Sequence, residues 1–261
     1  MNLFERFREF LGSQQTSSNQ FTELSYIGHR RINQDFASHL FTPQGKLFVV
    51  ADGLGGHEGG ELASRYFCEA LLIATKARLK QLNKQPEQTL VLLAETAATA
   101  MSDKILSDHP GINAHTTCAI CWLSTDNKLT TLHIGDTRIY WFTRRHIIWQ
   151  SRDHSVVQTL VDSGVIKQNQ MGTHPTQNAL TRSIAVGKAI KPSFKSHQTQ
   201  LKKGDALLLC SDGFWEMISQ NEIISLAKSR KPEQDLSRWI KTAIERAKPY
   251  SDNVTAQLYI L

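Results

Sequence analysis

Four aspartates in this chain share one local setting, the point where an apolar run stops. Asp52 closes LFVVAD and precedes Gly53, and Asp136 closes TLHIGD. Asp212 closes LLLCSD and precedes Gly213, while Asp252 lies in SDN just before the last apolar run. One such acid is usually a turn residue or a helix cap. Four of them gain another meaning if sheets bring those strand ends together. Clustered carboxylates raise one another's pKa unless cations neutralise them. Mg²⁺ and Mn²⁺ suit the task, because they prefer oxygen ligands and keep several waters. Two such ions can share a bridging water, lower its pKa and aim it at phosphorus. Gly53 fits that chemistry, since bare backbone lets a carbonyl or phosphate oxygen come close. The segment HRRINQD adds Arg30, Arg31 and the acid Asp35. A guanidinium fork matches two phosphate oxygens, although an arginine pair in a loop is more often a solvated surface feature. The pattern predicts a dimetal hydrolase acting on phosphate.

The glycine-rich stretch VVADGLGGHEGGELAS invites other readings, and its letters reject them. Rossmann spacing from Gly53 and Gly55 needs a glycine at Glu58, and a P-loop from Gly55 and Gly60 needs Lys where Glu61 stands. HEGGE ends in Glu61 rather than the second histidine of a zinc helix. CSDG has Leu209 where a nucleophile elbow has glycine. None of the four cysteines has an arginine six positions on, as a cysteine phosphatase requires. Cys118 and Cys121 form a lone CxxC inside a strand-like run, where residues three apart face opposite ways. They are expected as reduced core residues of a cytoplasmic protein.

The elements that must position these acids follow from periodicity. Strand-like runs occur at 21–28, 36–41 and 46–52, and two helical stretches at 61–82 and 86–106. Closely spaced strands follow at 116–123, 128–136, 138–142 and 146–150, as in antiparallel hairpins. A short helix at 155–164 leads into an irregular polar segment, and the chain closes with strand 206–212, helices near 221–229 and 233–247, and strand 253–261. Strands cluster and helices arrive in pairs, which predicts α+β with stacked antiparallel sheets rather than a parallel doubly wound sheet. Residues 1–20 read as a short amphipathic segment, MNLFERFREFL, with a linker, and 21–261 as one catalytic domain. At 261 residues, 40% hydrophobic and 21% charged, the chain can bury a sizeable core. Its net charge of +6 suits anionic partners. The cations are scattered, however, and the densest cluster (76–84) falls at a helix end, where it complements the dipole. Phosphoproteins are therefore a better expectation than nucleic acid. No apolar stretch is long enough to span a bilayer, and a cytoplasmic monomer is expected.

These segments resemble the metal-dependent serine/threonine phosphatases of the protein phosphatase 2C (PPM) family, in their compact bacterial form. The likeness rests on RRINQD (30–35), VADGLGGHEGG (50–60), HIGDTRIY (133–140), RDHSVVQTLVDSGVI (152–166), HPTQNALTRSIAVG (174–187), LLLCSDGFW (207–215) and SDNVTA (251–256), in the family's order. It implies an αββα sandwich, two stacked antiparallel sheets flanked by helix pairs. It implies that Asp52 bridges two Mn²⁺ or Mg²⁺ ions, with the Gly53 carbonyl on the second. Asp212 and Asp252 would complete the first ion's ligands, and Asp136 with Asp212 would hold a third, weaker ion. Asp35 would act through metal-bound water, and Arg30, which has the RxxN spacing, would clamp the phosphate. Phosphoserine and phosphothreonine in proteins would be hydrolysed by a metal-bridging hydroxide without a phosphoenzyme, opposing a bacterial-type Ser/Thr kinase. His57 is a candidate proton donor, with loop ordering or substrate contact as alternatives, and His154 is expected to be structural. Segment 165–180 resembles the family's variable flap. The chain departs from the family at His115, in AHTT, and at Thr137, in GDTR. A phosphoprotein-binding pseudophosphatase and an enzyme for small phosphomonoesters stay open as alternatives.

Overall fold

The computed structural model describes residues 20–54, 59–167, 170–171 and 174–261. The predicted N-terminal amphipathic segment and His57 lie outside the described residues. The strands are β1 Phe21–Tyr26, β2 Asp35–Thr42, β3 Gly45–Leu54, β4 His115–Thr116, β5 Cys118–Ser124, β6 Leu129–Ile134, β7 Arg138–Phe142, β8 Ile147–Gln150, β9 Ile184–Ala185, β10 Ser193–Ser196, β11 Ala206–Cys210 and β12 Val254–Ile260. The helices are α1 Gly60–Ala77, α2 Leu79–Lys84, α3 Pro86–Asp108, α4 Val156–Asp162, α5 Asp212–Trp215, α6 Gln220–Leu226 and α7 Pro232–Arg246. One sheet runs β1-β12-β11-β7-β8; the other runs β10-β6-β5-β3-β4-β9, with β2 also paired to β3. All these pairings are antiparallel.

The period-2 alternation of the strands builds a layered core. On β3, Leu47, Val49 and Ala51 face α1 and α3, while Phe48 and Val50 face the other sheet. On β11, Leu208 and Cys210 face the α5–α7 side, and Leu207 and Leu209 fill the space between the sheets. The order is therefore helices, sheet, sheet, helices, which is the expected αββα sandwich. Cys118 lies in the helix-side core and Cys121 between the sheets, so the CxxC cannot converge, and all four cysteines are free and buried.

Three local expectations need correction. The long helix expected over 61–82 breaks at Arg78, whose φ of −126° leaves the helical region. The strand expected over 116–123 breaks at Thr117, because Thr117 turns its hydroxyl toward the Asp52 backbone. The short strands β9 and β10 fall where no strand was expected. Among the described residues, no helix is long and apolar enough to cross a membrane.

Candidate metal centre

The strand alternation also places the acids. Asp52 continues the parity of Phe48 and Val50, so its side chain emerges at the end of the inter-sheet core. Asp35 stands directly opposite it in the β2–β3 register. Asp136 occupies the β6–β7 turn, Asp212 the step from β11 into α5, and Asp252 the residues before β12. Asp52 registers the charge of all four others, which puts the five carboxylates around one cleft at one end of the sandwich.

Their electrostatics bear this out. Burial, then repulsion from Asp212, Asp35, Asp136 and Asp252, pushes the Asp52 carboxyl well above the usual range. Asp212 is raised in the same way by burial and by Asp136 and Asp252. Both residues keep some surface at the cleft mouth, yet protein crowds the carboxyls closely enough that desolvation leads. Asp136 is pushed up to about 7 by burial, with Asp153 adding repulsion. Asp35 rises to about 6 through burial, although Ser211 donates to its Oδ2 at 2.7 Å.

Two loops are bound tightly to this cleft. Gly53 N–H donates to the Gln34 carbonyl at 3.0 Å, and a Cβ at Gly53 would collide with the Gly60 carbonyl. Glycine is therefore required where β3 leaves the sheet. Asn253 pins the arginine loop: its Nδ2 donates to the Ile27 and Ile32 carbonyls at 2.9 and 3.1 Å, and its Oδ1 accepts from Gln34 N–H at 2.8 Å. Arg30 consequently reaches Asp252, with Nε 2.8 Å from Oδ1 and Nη2 2.7 Å from Oδ2. Both side chains keep solvent access, at 58% and 38% of their surface. Arg31 is exposed, and among the described residues only Arg30 of the pair meets an acid.

Thr117 ties two acid-bearing segments together. Its hydroxyl accepts from Asp52 N–H at 3.0 Å and pairs with the Thr137 hydroxyl. The Thr137 departure from the family pattern therefore keeps its hydrogen bond. Gly135, at φ +94°, brings its backbone against the Thr117 side chain. Thr117→Val should strand the Asp52 N–H and cost about 1–3 kcal/mol, read as a lower urea midpoint with unchanged slope. An unchanged midpoint would show that this hydroxyl does not brace the cleft.

His154 braces the turn that carries Asp136. Its N–H donates to the Gly135 carbonyl at 2.9 Å and its Nδ1 accepts from Gly135 N–H at 3.2 Å. Burial, with His133 and Arg182 adding repulsion, holds its pKa down to about 3. Arg138 forks onto Asp153 at 2.9 and 2.6 Å and stacks 3.4 Å from the Trp215 ring, whose Nε1 donates to the Asp136 carbonyl at 2.9 Å. Ser211, Asn253 and this Arg138–Trp215 brace are not among the residues expected at the site. Ser211 had a signal, since it shares parity with Leu207 and Leu209. His115 bonds Ser183 and Asn113, both at 3.1 Å, away from the acids' hydrogen bonds.

The donor set fits hard divalent cations. Asp136 Oδ1 is buried and has no hydrogen-bond partner among the described residues, a cost that a cation would remove. Among the described residues, no three His, Cys, Asp or Glu groups cage an ion by themselves. The acids that line the cleft offer oxygen donors, which suit hard cations that keep several waters rather than a closed zinc site built on sulfur and imidazole.

The protein phosphatase 2C family model matches residues 25–259. The chain belongs to the protein phosphatase 2C family. The serine/threonine protein phosphatase PstP of Mycobacterium tuberculosis is 30% identical over 213 residues, covering 80% of this chain but 39% of the relative. The chain thus spans well under half of that relative's length. Protein phosphatase PhpP of Streptococcus pneumoniae is 29% identical over 238 residues, 90% of this chain and 94% of the relative. Among solved structures, the M. tuberculosis PstP/Ppp phosphatase superposes with a TM-score of 0.78 at 26% identity, covering 93% of this chain and 98% of that one. A second structure, the PstP catalytic domain in complex with two manganese ions, matches at 0.73 and 25%, with 92% and 97% covered. Family and fold thus agree with the resemblance read from the motifs.

Proposed function

We propose that this chain is a Mn²⁺- or Mg²⁺-dependent phosphatase for phosphoserine and phosphothreonine in proteins, its substrates being the products of protein Ser/Thr kinases. The observation that carries the reading is the group of carboxylates around Asp52, of which Asp52, Asp212, Asp136 and Asp35 have raised pKa values, beside the Arg30–Asp252 pair. A cluster so costly to ionise is accounted for when cations complete it. Asp52, the Gly53 carbonyl, Asp212 and Asp252 would hold two ions, and Asp136 with Asp212 a third. Such ions supply Lewis-acid polarisation of a phosphoryl oxygen and a water nucleophile at neutral pH.

The chain's own residues do the rest. Arg30 spends Nε and Nη2 on Asp252, which leaves Nη1 to meet a phosphate oxygen at the cleft mouth. Asp35, held by Ser211, would orient water at the inner wall through its carboxylate. His57 is carried forward from the sequence as donor to the leaving serine or threonine oxygen, since histidine can hold a proton near neutral pH. Full-length protein should release phosphate from a phosphothreonine peptide with Mn²⁺ and release none in chelator. Turnover in chelator would overturn the metal-dependent reading. Metal binding without turnover would favour the pseudophosphatase.

A further inference from the structure

The open side of the sandwich carries a second polar groove, between edge strands β8 and β10. Its volume is about 780 Å³, and Arg152, Arg182, Lys195, His133, His154 and Ser193 contribute to its walls. The acids there are already engaged: Asp153 is buried under the Arg138 fork, and Asp162 pairs with Arg152. Among the described residues, neither Arg182 nor Lys195 has a carboxylate partner. The groove therefore carries uncompensated positive charge.

Its floor also has more donors than acceptors. His154 Nδ1 accepts from Gly135 N–H, so the ring's proton is on Nε2, which donates to Ser193 Oγ at 2.8 Å. Arg182 Nη1, a second donor, lies 3.3 Å from that Nε2 with no acceptor between them. Its remaining bonds are long, 3.4 Å to the Lys191 carbonyl and 3.5 Å to Ser193 Oγ. With two donors directed at Ser193 Oγ, its own hydroxyl proton is free to point outward. A guanidinium, a hydroxyl and a nearby ammonium without a carboxylate form an oxyanion receptor.

We propose that this groove is a second oxyanion subsite, in which Arg182, Ser193 and Lys195 take a phosphate or carboxylate that the substrate protein carries away from the reacting phosphate. The proposal rests on the phosphatase reading above. The two sites are adjacent, because His154 in the groove floor engages both backbone groups of Gly135, next to Asp136: its own N–H donates to the carbonyl and its Nδ1 accepts from the N–H. A substrate bearing a second phosphate would thus be gripped at the acid cleft and on the far side of the Asp136 turn.

The test compares a monophosphothreonine peptide with peptides carrying an added phosphoserine, or an added glutamate, three, five or seven residues away. Para-nitrophenyl phosphate serves as the control for chemistry. At one spacing the added phosphate should lower KM about tenfold, equivalent to about 1.4 kcal/mol, with kcat unchanged. Arg182→Gln and, separately, Lys195→Ala should erase that advantage while leaving kcat/KM on the monophosphopeptide within about twofold. Glutamate matching phosphoserine would assign the subsite to acidic sequence. Competition by millimolar inorganic phosphate confined to the diphosphopeptide would show that free phosphate enters it too. Equal KM values at every spacing, or an advantage that survives both substitutions, would overturn the subsite while leaving the phosphatase reading intact. If no substrate turns over, that reading fails instead, and fluorescence anisotropy with the labelled diphosphopeptide still tests the subsite through the same two variants.

Discussion

In chelator, Asp212→Asn should melt at a higher temperature than the unaltered protein, yet show no Mn²⁺-dependent hydrolysis of a phosphothreonine peptide. Both halves follow from the same charge. Asp212 is surrounded by protein and faces repulsion from Asp136, Asp252, Glu216 and Asp35. Its ionised form therefore costs folding free energy that the unfolded chain does not incur. Asparagine keeps the shape and removes the charge. The backbone bond from Glu216 N–H to the residue-212 carbonyl, 3.0 Å, is indifferent to the change. On the proposed reading the same carboxylate holds the ions, and groups that merely orient metal ligands already cost about 10–100-fold when mutated. The loss in kcat/KM should exceed that range. Calorimetry in chelator and phosphate release with Mn²⁺ read the two halves separately. A lower melting temperature in chelator would mean that Asp212 makes stabilising contacts beyond the acid cluster. Activity retained within tenfold would remove it from the metal centre. An ordinary destabilising mutation would lower both stability and activity, so the opposed signs are diagnostic.

The sandwich was legible because its central strands are apolar on both faces. LFVVAD and LLLC alternate between two cores, and that parity delivers Asp52 between the sheets. The same parity kept Cys118 and Cys121 apart. The acids could be singled out because each interrupts an apolar run, a signal that is local in sequence. What stayed hidden depends on partners far along the chain. Arg30 meets Asp252 across 222 positions, and nothing around either residue encodes that distance. The break at Thr117 arises because its hydroxyl serves the Asp52 backbone, a demand set by the neighbouring strand. Strand β10, SFKS, is four residues long, with two exposed. It forms because β6 presents a free edge, and its own period is too short to recognise. The helix break at Arg78 has a similar character: KARLKQL is helical by composition throughout, so no capping letter marks the interruption.

The gain in melting temperature produced by Mn²⁺ over chelator should grow steadily from pH 5 to pH 8. In chelator, Asp35 binds its proton up to about 6 and Asp136 up to about 7, against an unfolded value near 4. Between pH 4 and 7 the folded metal-free chain thus holds more protons than the unfolded chain, and its stability falls as pH rises. The ions oppose this, because they require the deprotonated carboxylates and gain affinity as protons leave. The buried histidines work in the other direction. His154 and His197 are held neutral down to about 3 and 4, so they destabilise the fold as pH falls below their unfolded value. They do so with or without metal, however, and their contribution cancels when the two melting temperatures are subtracted at each pH. Paired melts at half-unit steps would isolate the acid cluster. A difference that stays flat over this range would mean that the carboxylates ionise normally without metal, and the electrostatic account of the cleft would then be wrong.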